Sequence, residues 1–335
     1  MNSLYASVTN TTDILGIVTT SNHDSPVASA TVEAYTTSLS LGYEVQIDLG
    51  YTDNHALIIT GYVKQIERNI PENIYSITIM DKMVRAQDYF IASINPQAPL
   101  SKKNITAEAL ITSLMGLAGL SVSANTTFFT FGVYNPFEIN LVSVHDYCRM
   151  ISELLTWSFW CDENGVVQFR NRKPYVMINQ FPENVQPGFI ADSGIVSYTL
   201  SPSTYLSSSY VKSEKNLRNR VVVYGSENVF AEASAASIHL PAGFFKSSVL
   251  AAPQLVDSNA LALDIANYNL NLLNRITEQV SVAIIGNPSL KARTVIAVDD
   301  ARMGLYGNWY CYAVDHQFSQ QGYMCSVDLR RSLAP

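Results

Sequence analysis

In the run Glu44-Val45-Gln46-Ile47-Asp48-Leu49, apolar and polar residues alternate one for one. A side-chain period of two belongs to an extended strand, so Val45, Ile47 and Leu49 share one face and the carboxylates the other. The result is a strand with one wet side. Further alternating or apolar runs at Asp13–Thr20, Ala30–Thr37, His55–Asn69 and Ile74–Met83 are bounded by Gly, Asn, Asp and Pro, the residues of turns. The first 90 residues thus read as five strands without a convincing amphipathic helix. The fourth is long enough to bend at Gly61, and five strands in so short a stretch predict a small closed or nearly closed barrel.

After Pro96 and Pro99 the period changes. Thr106 is placed to cap a helix whose apolar positions Leu110, Ile111, Leu114, Leu117 and Ala118 stop at Gly119. Ser143-Val-His-Asp146 reads as a capping box with Asp for Glu, opening a second helix striped by Tyr147, Met150, Ile151, Leu154 and Leu155. A turn at Asp162-Glu-Asn-Gly165 and a strand at Val166–Arg170 complete an α+β module. From Val176 to Ser213 the chain is rich in Ser, Pro, Asn and Tyr and is expected to be a connection into a strand at Asn219–Tyr224. A third helix, Ser258 to about Arg275, leads into strands at Glu278–Ile285, Thr294–Asp299, Tyr310–Ser319 and Tyr323–Arg330, with a hairpin turn at 319–322. Gly304-Leu-Tyr-Gly307 reads as a turn between strands. The expected class is α+β, mainly β. Residues 1–95 would form one small barrel, 96–175 the α+β module, 176–214 the connection, and 215–335 a second small barrel carrying one helix. No repeat is visible at fixed period.

Only 15% of the 335 residues are charged, against about 25% in an average globular protein. Much of the surface is therefore neutral or apolar, and large subunit interfaces are expected. The net charge of −7 argues against a dedicated nucleic-acid binder, which needs clustered Lys and Arg. The densest basic cluster, Arg170, Arg172 and Lys173, is too short to change that. No apolar run reaches membrane-helix length, and the start MNSLYASVTN lacks the features of a signal peptide, so a soluble protein made in the cytoplasm is expected. Cys148, Cys161, Cys311 and Cys325 contain no CxxC and match neither a zinc site nor a compact disulfide framework. They read as reduced, partly buried thiols.

Residues that could carry chemistry are few. Asp162 and Glu163 are adjacent, and an acid/base pair must face across a substrate, so they read as a turn. Asp299-Asp300 reads as a solvated loop start. The histidines at 23, 55, 145, 239 and 316 show no metal-ligand spacing. His145 suits a cap or surface role, and His316 lies within a strand. His23, Asp24 and Ser25 are neighbours in sequence, whereas nucleophile triads assemble from distant segments. Neither a phosphate loop nor a GxGxxG is present. The interleaved Tyr and Ser of Tyr198–Tyr210 suit an interface or loop packing better than a sugar platform. No catalytic, cofactor-binding or metal-ligating residue is assigned, and no cofactor is expected.

The C-terminal order is distinctive: a helix rich in Ala, Leu and Asn at 258–275, the turn Gly286-Asn-Pro288, Val298-Asp299-Asp300, then Trp309 through Val314, His316 and Phe318, and finally Gly322-Tyr323 to Leu329-Arg330. It resembles the closing barrel of phage tail baseplate hub proteins. Gly42-Tyr43-Glu44-Val45, Ile59-Thr60-Gly61-Tyr62-Val63, Ile77-Thr78-Ile79-Met80-Asp81 with Arg85-Ala86, and Trp157 to Phe169 extend that resemblance over nearly the whole chain. The family includes T-even hubs, late control D proteins and the N-terminal part of type VI secretion spikes. The resemblance implies a non-enzymatic homotrimer in the virion of a contractile phage, assembled in the host cytoplasm. Each chain would give two barrels, so that three chains match the sixfold tail tube above and the threefold spike below. Implied partners are the tail tube or its initiator, the central spike, the tape measure and the baseplate wedge proteins, with DNA only in transit and no membrane insertion. No lysozyme or spike domain is recognised here, so lytic activity would belong to another subunit. A receptor- or carbohydrate-binding tail module, a tail-associated cell-wall hydrolase, and a tube or tip protein of a non-contractile tail are the competing readings.

Overall fold

In the computed structural model the described residues are 3–25, 27–91, 100–127, 129–170, 196–237, 239–274, 276–302 and 304–333. The first six strands of the main sheet are β1 (Leu4–Val8), β2 (Thr11–Asn22), β3 (Ser29–Thr37), β4 (Glu44–Tyr51), β5 (Asn54–Asn69) and β6 (Ile74–Asp81). In β4 the alternation acts as expected, with Val45, Ile47 and Leu49 fully buried and Glu44 and Gln46 exposed. Five strands were expected; β1 is the sixth, turned back on β2 at Asn10, whose φ of 54° suits a tight hairpin. The glycine at 61 has a steric cause, since a Cβ there would collide with the Met80 carbonyl oxygen on β6. These strands lie in the order β1-β4-β5-β6-β3-β2, and the Val8–Thr11 pairing joins the two ends of that path.

The last six are β7 (Val196–Leu200), β8 (Tyr205–Ser213), β9 (Ile276–Ile285), β10 (Val295–Asp300), β11 (Leu305–Ser319) and β12 (Gly322–Leu333). Their order is β7-β10-β11-β12-β9-β8, which repeats that of the first half strand for strand. One orientation differs: β7 runs parallel to β10, whereas β1 runs antiparallel to β4. A one-turn 3-10 segment, Pro202–Thr204, carries the chain on from β7 to β8, where the β1–β2 hairpin reverses it. The halves meet where β2 pairs antiparallel with β11, from Gly16–Ser319 to Asn22–Ala313. Instead of two separate barrels, the described strands form one continuous twelve-stranded sheet of two like halves.

Register deepens the likeness. The β5–β6 ladder shifts at Lys64 and the β11–β12 ladder at Tyr312, so these two residues occupy equivalent places. Gln65 then corresponds to Ala313, and their ladder partners Thr78 and Asp328 correspond in turn. Across the next ladders Thr31 corresponds to Ser281, and Val18 to Ser209. That places Leu15 on Leu206, where the β2–β3 and β8–β9 ladders each shift by one residue. Two independent irregularities coincide, which shared strand order alone does not require.

Helices α1 (Val84–Asp88), α2 (Ala107–Leu117), α3 (Val144–Leu155) and α4 (Asn259–Leu273) lie outside the sheet. The Ser143 and Ser258 hydroxyls cap α3 and α4, accepting from the Asp146 and Leu261 amides. Thr106 takes the cap backbone conformation on α2 without the side-chain bond. The turn at Asp162 joins Ser158–Cys161 to Val167–Arg170 as foreseen.

Two expectations change. Of the stretch expected to be a connection, residues 196–200 and 205–213 are sheet strands, while 171–195, with Arg172 and Lys173, lie outside the described residues. Within 215–274, expected to belong to the C-terminal barrel, three strands (Arg220–Tyr224, Phe230–Ser234 and Ser247–Ala251) form a separate sheet that α4 packs on. That sheet and helix share a core with the middle module: Val221, Val223 and Ile265 join Leu110, Ile151 and Phe169. The twelve strands keep their own core, with Ile47, Ile79, Trp309 and Leu329 fully buried. The chain thus has two cores, one all-sheet and one assembled from two segments far apart in sequence.

Candidate functional site

The ionisable groups are spent on structure. Asp162 Oδ1 accepts from the Asn164 and Val166 amides at 3.0 and 2.9 Å, which closes its turn, and Glu163 pairs with Lys291. Each carboxylate is thus engaged by its own partner. Asp300, expected in a solvated loop, is instead fully buried and accepts from the Arg302 amide at 2.9 Å. The turn there is shorter than expected, because Leu305, Tyr306 and Gly307 already belong to β11.

The histidines serve packing. His23 Nδ1 lies 3.0 Å from the Tyr310 hydroxyl, Asp24 accepts from Tyr312, and Ser25 donates to the Val27 carbonyl, so the three neighbours turn apart. His55 pairs with Asp48 and stacks on Tyr5. His145, expected at a cap or on the surface, is buried in the first turn of α3, with Asp146 Oδ1 2.9 Å away. That bond holds the Asp146 carboxyl below its ordinary range. His239 is exposed in a loop.

One pair imitates catalytic machinery. His316 Nδ1 lies 3.3 Å from Cys325 Sγ and 2.7 Å from the Tyr323 hydroxyl, while Nε2 faces the Leu290 carbonyl at 3.2 Å. A thiolate–imidazolium nucleophile needs a lowered thiol pKa. Here burial pushes the imidazole down to about 4 and the thiol up to about 11. Both are neutral at pH 7, and the cluster is core. All four thiols are buried and none forms a disulfide. Among the described residues no group of three or more His, Cys, Asp or Glu could hold a metal ion, and no helix is long and apolar enough to cross a membrane.

Sequence reasoning missed the joint where the two sheet halves meet the middle module. Asp81, at the end of β6, is almost wholly buried and accepts from the Ala28 and Met83 amides at 2.6 and 2.9 Å. Burial raises its pKa to about 7, against the pull of those amides and of Arg293. Arg293, also buried, donates to the Ser25 carbonyl at 3.2 Å and lies over the Trp160 ring at 5.0 Å. Thr60 donates to the Glu163 carbonyl at 2.7 Å. A cavity of about 60 Å³ remains among them, too small for anything beyond a few waters. The joint fixes three parts of the chain together.

Among the outward features is a long open edge of the main sheet. β8 pairs only with β9 among the described strands, and it leaves Leu206, Tyr210 and Val211 exposed. Its Tyr and Ser residues, read from sequence as interface or loop packing, thus lie on a sheet edge. Arg170 is held by Ser123 and Gln168.

No family model and no curated protein matches the chain. Solved structures do. A prophage MuSo2 43 kDa tail protein from Shewanella oneidensis aligns over 98% of both chains at a TM-score of 0.66 with 13% identity. A tail protein from Neisseria meningitidis aligns over 98% of this chain and 96% of its own at 0.65 with 11% identity. An Escherichia coli component of the type VI secretion system, described as structurally similar to T4 bacteriophage tail proteins, aligns over 97% of this chain and 76% of its own at 0.54 with 8% identity. From end to end, then, the chain carries the fold shared by phage tail proteins and type VI secretion components, in line with its resemblance to baseplate hubs.

Proposed function

We propose that the protein is a structural hub of a phage tail baseplate, a homotrimer that adapts a sixfold tail tube to a threefold central spike. The observation that carries this reading is the pair of six-stranded halves with one strand order and two coincident ladder shifts in a single polypeptide. Each half is read as one tube-like barrel, so three chains present six near-equivalent units. The near full-length likeness to tail proteins supports the same role. A scaffold reading, without catalysis, agrees with carboxylates committed to turns and pairs and with a His–Cys contact held neutral.

In this reading the ring encloses the channel for tape measure and DNA, with the tube above, the spike below and wedge proteins outside, all inside the virion baseplate. The polar face of β4 is a candidate channel wall. Its charge is partly offset, because Glu44 Oε1 lies 2.9 Å from Lys82 Nζ, while Asp48 Oδ1 lies 2.9 Å from His55 Nδ1 in a hydrogen bond. That wall would be hydrated and only weakly repulsive to phosphate. Sedimentation of the protein with its spike partner is expected to give three copies of the 37.0 kDa chain per spike trimer. Monomers at every concentration would overturn the proposal, as would a particle image placing the subunit at the fibre tips.

A further inference from the structure

The junction inside the chain also specifies the junction between chains. In the intrachain seam the second strand of one half, β2, pairs with the far part of the fifth strand of the other half, β11. The near part of β11 pairs with β10, and β12 runs along the opposite edge. The equivalent elements left over are β8, second strand of its half, and the far part of β5. Among the described residues β8 has one strand neighbour, and β5 beyond Lys64 pairs with β6 alone. Long open edges invite pairing and are normally blunted by charge, proline or a bulge. From Ser207 to Ser213, β8 has a single charged residue, Lys212, no proline and no ladder shift.

Resting on the hub reading, we infer that β8 of one copy pairs antiparallel with the far part of β5 of the next, in a register that the intrachain seam dictates. In that seam Val18 stands opposite Gln317. Val18 corresponds to Ser209, as shown by the coincident shifts at Leu15 and Leu206. Gln317 lies four residues beyond Ala313, and Asn69 four beyond Gln65, so Gln317 corresponds to Asn69. Ser209 of one copy therefore faces Asn69 of the next. By the same steps the Thr20–Asp315 pair becomes Val211 against Glu67, and Asn22–Ala313 becomes Ser213 against Gln65. Tyr210 comes opposite Arg68, an aromatic ring against a guanidinium.

The occupant is a second copy of this chain, because the intrachain seam is a finished example of the same joint. There Ile17, Thr19, Val314 and His316 are all buried against one another's strands. Repetition of a head-to-tail contact closes into a ring when its rotation permits and otherwise gives an open filament.

Cysteine cross-linking at Ser209 and Asn69, both exposed, tests the register. The four native thiols are buried and do not compete. The full-length S209C/N69C variant, mildly oxidised, is expected to give covalent dimers and trimers with nothing larger on a non-reducing gel. Each single variant should stay monomeric on that gel. The S209C/R68C variant, one residue out of register and so on the opposite face, should cross-link at least tenfold less. Sedimentation runs alongside. If the protein is oligomeric yet S209C/N69C forms no covalent oligomer, or S209C/R68C forms as much, the pairing is wrong and the hub reading stands. If every variant and the parent sediment as monomers up to near-millimolar concentration, both fall. A covalent ladder running past three copies would also overturn the closed pairing.

Discussion

Asp81 and His316 are two buried ionisable groups whose burial acts in opposite directions on stability. The fold holds the Asp81 carboxyl protonated up to about pH 7, against 3.8 for the free group. Its contribution is therefore complete below pH 3.8 and is lost as the pH rises through 7, at a rate of at most about 1.4 kcal/mol per unit. His316 is neutral in the fold down to about pH 4, against 6.5 when free, so its contribution is complete above 6.5 and is lost as the pH falls through 4. The two slopes partly cancel in one window, and a substitution separates them. In Asp81→Asn, urea unfolding should show about 1–3 kcal/mol lower stability near pH 4, where one backbone amide loses its acceptor. The deficit should shrink steadily toward pH 7. Equal deficits at both ends of the range would contradict a protonated Asp81. Burial also predicts thiol chemistry: an aromatic disulfide reagent should titrate none of the four cysteines in the native protein and all four in denaturant. The thiols already read from the sequence as reduced and partly buried, but the buried carboxylates are not legible there, because Asp81 lies inside the strand run Ile74–Met83 and Asp299-Asp300 reads as a loop start. Hydropathy shows which residues resist burial, whereas only the fold shows which are buried regardless.

Among the elements, β4 was read to its exposed and buried faces because period two is a local property. The caps of α3 and α4 were legible for the same reason, since a hydroxyl at the right backbone position needs no distant partner. Replacing the α3 cap by Ser143→Ala should cost about 1 kcal/mol, read as a shift in the urea midpoint. Gly61→Ala should cost far more, about 3 kcal/mol or above, because the added methyl meets backbone of β6 and no side chain can move aside. Soluble protein with an unchanged melting temperature would show that β5 does not cross β6 as closely as described. β8 was missed because Ser-Ser-Ser-Tyr carries little hydrophobic alternation, and a strand with exposed faces needs none. The three strands between Arg220 and Ala251 pack with the helical core, a choice of partner that no periodicity encodes.

For the whole molecule, the sequence showed two β-rich ends about a helical middle but no repeat. The relation between the ends is carried by strand order and by ladder shifts at Leu15 and Leu206, Lys64 and Tyr312, of which the first pair shares a residue type and the second does not. Geometry here outlasted side-chain identity, which is also why solved structures at 13% identity align over 98% of the chain.

The β2–β11 seam has a further consequence for dilution. Tethering two halves in one chain makes their association unimolecular, so its effective concentration does not fall when the protein becomes scarce. A six-unit assembly made this way would need two concentration-dependent encounters where six separate half-length chains would need five, so it would persist at dilutions where the separate chains would drift apart.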